Sequence, residues 1–324
     1  MALGVYLSFR VLDFPDLTVD GSFVTGAAVA ATLLASGVNP VLATASAIFV
    51  GFLAGCSTGI LHTFGKINAL LAGILMMIAL YSINLRIMGK SNVSLLNTDT
   101  LFTSVENVSE KLGIDSALNA CLSFVGLEDS KPSTWGILLF MIIVTFSIKF
   151  LTDRFLKTEI GLAVRATGDN QRMIRSFSAN TNLLVILGLG LSNALVALSG
   201  ALIAQLGGFA DVGMGIGMII IGLASVIIGE ALFGTKTIVR TTLAVIGGAI
   251  IYRIVVTLAL RVDFLKTGDM KLITATIVIL ALVLPKMMET MREKKRKRLK
   301  MQSLELESVA VPLKGKGENN APAK

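Results

Sequence analysis

The chain has 324 residues, 54% of them hydrophobic and only 15% charged, with a mean hydropathy of +0.78. A soluble globular domain carries about 25% charged residues, so most of this chain is built for another solvent. The net charge of +8 invites a nucleic-acid partner, yet five positive charges sit in one cluster, Lys294-Lys295-Arg296-Lys297-Arg298, after the last apolar segment. That placement reads as an orientation signal or a lipid-headgroup contact, not a nucleic-acid surface.

Residues 1–10 read as the last half of a membrane helix, too short to span alone. They are either re-entrant or the end of a helix that begins upstream, and the second reading is favoured. A basic lead and a small-residue cleavage site, the marks of a signal peptide, are lacking. The segment Phe14-Pro15-Asp16-Leu17-Thr18-Val19-Asp20-Gly21 follows. Two carboxylates and a proline beside a long apolar run imply broken backbone, which at membrane depth is tolerated only against protein or water. The alternative is an ordinary helix start, with Asp20 as N-cap and Asp16 near the positive end of a helix dipole.

Residues 21–65 contain no Lys, Arg, Asp or Glu, and Asn39-Pro40 punctuates the run, giving two helices near 22–37 and 41–63. A third span covers 67–85. The 86–134 segment is polar and holds one or two short amphipathic helices (about 101–112 and 116–126). Another span, 135–151, opens on Trp135 as an interfacial anchor. A polar, basic stretch at 152–180 precedes the uncharged run 182–210, and spans follow near 182–206, 214–233, 238–260 and 271–288. The fold class is therefore all-α: a polytopic membrane protein of about 8 transmembrane helices plus a partial N-terminal one.

Basic residues set the orientation. The tail and the 152–180 segment are the most basic regions, so both are expected in the cytoplasm. Four spans separate them, which restores the same side. Counting backwards puts 86–134 outside and the 62–66 connection inside.

Gly207-Gly208-Phe209-Ala210-Asp211-Val212-Gly213 repeats the Phe, small residue, Asp, aliphatic order of the Phe14 segment. The two copies fall on opposite sides of this topology, which suggests an inverted repeat around a midplane path. Asp16, Thr18, Asp20, Asp211 and Glu230 are the candidates for a translocation path, since charge inside a membrane is expensive and functional by default. Glu230 also has a bland reading at the interface, as does Arg253 by snorkelling. His62, the single histidine, is interfacial, and the 13 methionines are packing filler. Cys56 and Cys121 have no metal spacing and are not expected to pair. Gly229-Glu-Ala-Leu-Phe-Gly234-Thr235-Lys236-Thr237 misses a phosphate-binding loop by one residue and lacks a preceding strand.

The Phe14-to-Gly21 motif, the segment Gly161-Leu-Ala-Val-Arg165-Ala-Thr-Gly168-Asp169-Asn170 and the string Ile228-Gly-Glu230-Ala-Leu-Phe-Gly234 together resemble permease subunits of bacterial ABC importers. The superfamily is that of branched-chain amino acid and ribose permeases, and the closest subgroup is that assigned to tryptophan or tyrosine uptake. The resemblance covers about residues 1–290, leaving 291–324 as a basic, disordered cytoplasmic tail. Family members usually carry a further apolar stretch before the position of Met1.

The resemblance implies a homodimer of permeases in the bacterial cell (inner) membrane, multi-pass with the C-terminus in the cytoplasm. It also implies two copies of an ATPase subunit and an extracytoplasmic solute-binding protein delivering a small solute, an amino acid above all. No cofactor is expected in this subunit and it is not itself an enzyme; the partner hydrolyses ATP. Gly161, Leu162, Arg165, Asp169 and Asn170 would then form the ATPase-coupling helix, whose alternative is a solvated basic loop. Small residues around Gly188, Gly190, Ser192, Ala197 and Gly200 are expected to let helices pack closely, around the path or at the dimer seam. The competing class is an ion-coupled secondary transporter or channel with Asp16, Asp20 or Glu230 as ion sites.

Overall fold

The computed structural model describes residues 1–112, 135–177 and 179–259, with isolated positions between 272 and 291. The expected helix at 116–126, the span at 271–288 and the tail from 291 lie outside the described residues or almost wholly so. Six described helices are long and apolar enough to cross a membrane. They are α2 (Thr18–Ala35), α3 (Pro40–Thr63), α4 (Ala69–Met88), α6 (Trp135–Lys157), α8 (Thr181–Gly207) and α10 (Ile238–Ala259). Two apolar helices are shorter, α1 (Ala2–Val11), which finishes as a π-helical turn, and α9 (Met218–Phe233). The amphipathic pair is α5 (Leu101–Leu112) and α7 (Glu159–Ser176).

Helix starts follow from side chains that satisfy the first free amides. Asn39 accepts from Val41 N at 2.9 Å with Pro40 at the first turn, Asn68 from Leu70 N at 3.0 Å, and Asn180 from Leu183 N at 3.3 Å. Gly89 and Gly208, both left-handed, end α4 and α8. Beyond those glycines the chain forms a small ribbon absent from the all-α expectation. Strand β1 (Asn92–Ser94) pairs antiparallel with β2 (Phe209–Asp211), Val93 opposite Ala210. The run is too short for a sequence period to show.

Helix α2 is the axis of the bundle, with 78% of its membrane window buried, and α3, α4 and α8 pack around it. Lipid gives little hydrophobic drive for helix association, so close packing of small residues must supply it. Gly26 lies against Ala197, Gly200 against the Phe23 carbonyl, and a Cβ at either glycine would collide with backbone. Gly188 packs on Leu12, Gly190 on Phe52, and Ser192 donates to the Gly4 carbonyl at 2.7 Å. The small-residue face of α8 thus seals the interior of one protomer.

The span expected to stop at 151 continues to Lys157. Asp153 is buried there because Lys149, one turn earlier, neutralises it at 2.6 Å and Thr242 of α10 donates to it at 2.6 Å. The ribbon marks one end of the bundle, where Ala27, Ala31 and Leu34 of α2 meet Ala204 and Ala210. Helix α7 marks the other, where Leu156 and Val164 join Leu7, Val11 and Leu12 in the largest core cluster.

Candidate functional site

Between α1 and α2 the chain breaks at Asp13, which has a positive φ of 52°, and passes through Phe14-Pro15-Asp16. Asp16 is 2% exposed. Its Oδ1 accepts from Thr18 N at 2.9 Å, capping α2, and its Oδ2 accepts from Asn193 Nδ2 at 2.7 Å. The Thr18 and Thr58 hydroxyls share a hydrogen bond of 2.8 Å beside it. Asn193 fixes the depth. At 1.5 Å per helical residue it stands about 18 Å from the start of α8 and about 21 Å from its end. The break is therefore close to mid-depth, and buried polar partners answer the free backbone groups that lipid cannot.

A second break meets the first. After β2 the chain turns through Val212-Gly213-Met214-Gly215-Ile216-Gly217 and starts α9 beside α2. Gly217 sits at φ 87°, open to glycine at little cost. Asp20 Oδ2 accepts from Gly217 N at 2.9 Å and Oδ1 from Ile219 N at 2.7 Å. A carboxylate on α2 thus caps the positive end of α9. From this junction α2 runs toward the ribbon, while α9 runs toward α7, passing Val5 at Gly222. Two helices of opposite direction thus start side by side at mid-depth.

At the far end of α9, Glu230 takes a hydrogen bond and ion pair from Arg10 Nε at 3.0 Å. Nearby, α7 is fixed to the bundle by backbone contact. Thr158 accepts from Gly161 N at 3.2 Å, Gly161 abuts the Phe155 carbonyl, and Gly168 abuts the Val11 carbonyl. Val164, Thr167 and Ile174 face inward, while Ile160 and Leu162 are 53% and 59% exposed. A groove of about 700 Å³ separates Arg10 and Asp13 from Leu162, Arg165 and Asp169. Asn170 leaves helical geometry (φ −152°, ψ 89°) and its Oδ1 accepts from Met173 N at 3.1 Å, restarting the helix after a kink.

The sequence that builds this bundle, with helices broken at mid-depth and a polar helix clamped across one end, has known relatives. Residues 1–283 match the family model described as branched-chain amino acid transport system / permease component. The chain belongs to that permease family. It is 43% identical to the tyrosine transport system permease protein of Clostridioides difficile, over 86% of this chain and 84% of the relative. It is 34% identical to an uncharacterized protein of Rickettsia prowazekii over 66% of each chain. The ribose import permease protein of Escherichia coli matches at 26% over 62% of this chain and 55% of its own length. No solved structure matches. The protein is accordingly a multi-pass membrane permease, the membrane-spanning subunit of an importer of the ATP-binding-cassette type.

Of the residues singled out for a path in this permease, the structure brings together Asp16, Thr18 and Asp20 and separates the rest. Asp211 is at the ribbon, paired with Asn92, and Glu230 is at the α7 end. Asp16 and Thr18 are sealed within the protomer, whereas Asp20 is partly exposed. Of the five residues expected to contact an ATPase, Leu162, Arg165 and Asp169 line the groove, Gly161 is a packing residue and Asn170 the kink. Arg253 is exposed at the rim of an apolar cleft of about 540 Å³ between α6, α8 and α10. Asn193, Thr58 and Ile160 escaped sequence reasoning. An asparagine in the middle of an otherwise apolar span was the available signal for the first.

Proposed function

We propose that two copies of this permease face each other and carry an amino acid with an aromatic side chain, delivered by an external binding protein and driven by two ATPase subunits at the α7 end. That end would lie in the cytoplasm of a bacterial cell, with the ribbon outside the inner membrane and ATP bound and hydrolysed only by the partner. Support for the solute class is the 43% identity to a tyrosine permease over most of both chains.

The observation that carries the mechanism is the occupied state of both mid-depth helix starts. Half-helix N-termini at mid-depth ordinarily offer a positive end to an anionic solute group. Here Asp16 and Asp20 already fill those ends. An amino acid carboxylate finds no high-affinity seat there, so the path passes the solute while the binding protein selects it. Energy enters through α7. Its exposed Ile160 and Leu162 supply apolar contact and Arg165 the charge, and its two glycine contacts transmit a push from the groove to α6 and α1 as rigid motion.

Reconstituted uptake with the cognate ATPase and binding protein tests the proposal. Tyrosine, phenylalanine or tryptophan should be taken up with ATP consumption. Arg165→Glu should insert normally yet lose uptake and substrate-stimulated ATPase activity, because charge reversal at an interface costs several kcal/mol. Uptake driven by an ion gradient without ATP, or normal activity in Arg165→Glu, would overturn it.

A further inference from the structure

A second cavity at the α7 end, of about 510 Å³, belongs to neither the helix breaks nor the docking groove. It opens between the α3–α4 turn and the junction of α7 with α8. The turn contributes His62, Thr63 and Lys66; the junction contributes Gln171, Arg175 and Thr181. No acidic side chain lines it among the described residues.

The cationic groups are held in place. His62 Nδ1 meets the Ile67 carbonyl at 2.8 Å, so that nitrogen carries the hydrogen and Nε2 is left to face other partners. The His62 ring also packs edge-on against Phe14 at 5.1 Å. Lys66 adopts φ 53°, a left-handed conformation uncommon for a lysine, in the tight turn before Asn68. Arg175 gives its Nε to Thr181 Oγ1 at 3.0 Å, which orients the guanidinium and leaves its terminal nitrogens without a partner among the described residues. Thr181 is 3% exposed, and because its oxygen accepts from Arg175 its own proton is free to be donated. Lys66 makes no ion pair among the described residues.

We propose that this cavity binds the phosphate of an anionic phospholipid, with Lys66 and Arg175 as its charge partners. The flanking residues favour a lipid over a dissolved anion. Phe64, next to Thr63, and Phe177, two residues from Arg175 and Ala179, are 69% and 74% exposed, at the level where α3 ends and α8 begins. Aromatic rings at that level belong in the boundary between headgroups and acyl chains. The inference rests on the membrane-spanning reading and not on which solute is carried. Its consequence concerns coupling: Arg175 and Gln171 lie beyond the Asn170 kink, so a phosphate shared with Lys66 ties the second half of α7 to the α3–α4 turn.

The test uses the full-length permease in phosphatidylcholine nanodiscs with and without phosphatidylglycerol, read by thermal unfolding and by native mass spectrometry of retained lipid. The wild type should retain phosphatidylglycerol and gain thermal stability from it. Lys66→Gln/Arg175→Gln should lose roughly thirtyfold in apparent affinity, in line with the attraction of each basic side chain for an acidic leaflet. Lys66→Arg/Arg175→Lys should keep most of it, which separates charge from folding defects. Lys236→Gln, at the same end but outside the cavity, should behave as wild type. The basic cluster Lys294 to Arg298 is present in every variant, so its own pull on acidic lipid cancels. Equal stabilisation of wild type and the double Gln variant overturns the site. A matching gain from inorganic phosphate in pure phosphatidylcholine overturns the lipid as its occupant.

Discussion

Two stretches of this permease share a pattern and even a local hydrogen bond, yet the bundle uses them differently. Asp16 accepts from the amide two residues ahead, Thr18 N, at 2.9 Å; Asp211 does the same with Gly213 N at 2.7 Å. In the first stretch the helix begins at once, at mid-depth, with Asn193 holding the other carboxylate oxygen. In the second, the turn sits at the end of the bundle beside the ribbon, and the chain must travel through Gly215 and Gly217 before α9 begins. The carboxylate that caps α9 is consequently Asp20, on the other stretch. A short sequence repeat thus fixes a turn geometry but not its depth, and depth decides how much the turn contributes.

The largest effect is expected at Asp16. Replacement by Ala removes the cap of α2 and leaves Asn193 Nδ2 only its bond to the Leu189 carbonyl at 3.0 Å, so one buried amide hydrogen loses its partner; together these cost roughly 2–4 kcal/mol. The purified Asp16→Ala permease should unfold at markedly lower temperature or fail to accumulate. Asp16→Asn retains an acceptor for Thr18 N and should fall between it and the wild type. An Asp16→Ala protein as stable as wild type would falsify the mid-depth reading of the break.

Next comes Asp20, whose loss leaves the Gly217 and Ile219 amides open where α9 begins. A cap of this kind contributes about 1–2 kcal/mol, including its charge on the helix dipole. The effect should be local: faster hydrogen exchange across the first turn of α9, reduced uptake, and a smaller drop in thermal stability than at Asp16. Unchanged exchange at Ile219 to Ile221 would show that α9 does not depend on α2 for its start.

These differences explain what could be read before the structure. Most of the helices were legible to within a few residues, because the Asn39 and Asn68 caps, the glycine stops and the uncharged runs are all local signals. Because Met214-Gly215-Ile216 is apolar, the sequence puts the start of α9 at 214, four residues early; only contact with α2 makes that stretch a turn. Spatial partners were beyond reach for the same reason. Nothing in the string around Asp16 names Asn193, and nothing near Glu230 names Arg10, 220 residues away. The polar character of α7 was plain, but which of its glycines face the bundle depends on α1 and α6, whose placement is tertiary.

The Arg10–Glu230 pair offers a smaller test. Arg10 is 57% exposed, so water and ions screen the pair and its worth is about 0–1 kcal/mol. Arg10→Ala should scarcely move thermal stability, and a double-mutant cycle with Glu230→Gln should return a coupling in that range that shrinks with added salt. A coupling several times larger would mean the pair is shielded in the assembled transporter, for instance by the ATPase.

The smallest effect should fall on Asp211, which completes the contrast with Asp16. Its carboxylate is partly exposed and accepts from Gly213 N in a surface turn, where water can replace it. Backbone pairing of Val93 with Ala210 holds the ribbon register without that side chain. Asp211→Ala is therefore expected to cost less than about 1 kcal/mol, within the ordinary range of surface substitutions near a turn. Thermal unfolding of the Ala variants at positions 16 and 211, measured side by side in the same detergent, gives the difference directly. Equal losses would mean that the second turn is as enclosed as the first, as a partner copy packed over the ribbon would make it.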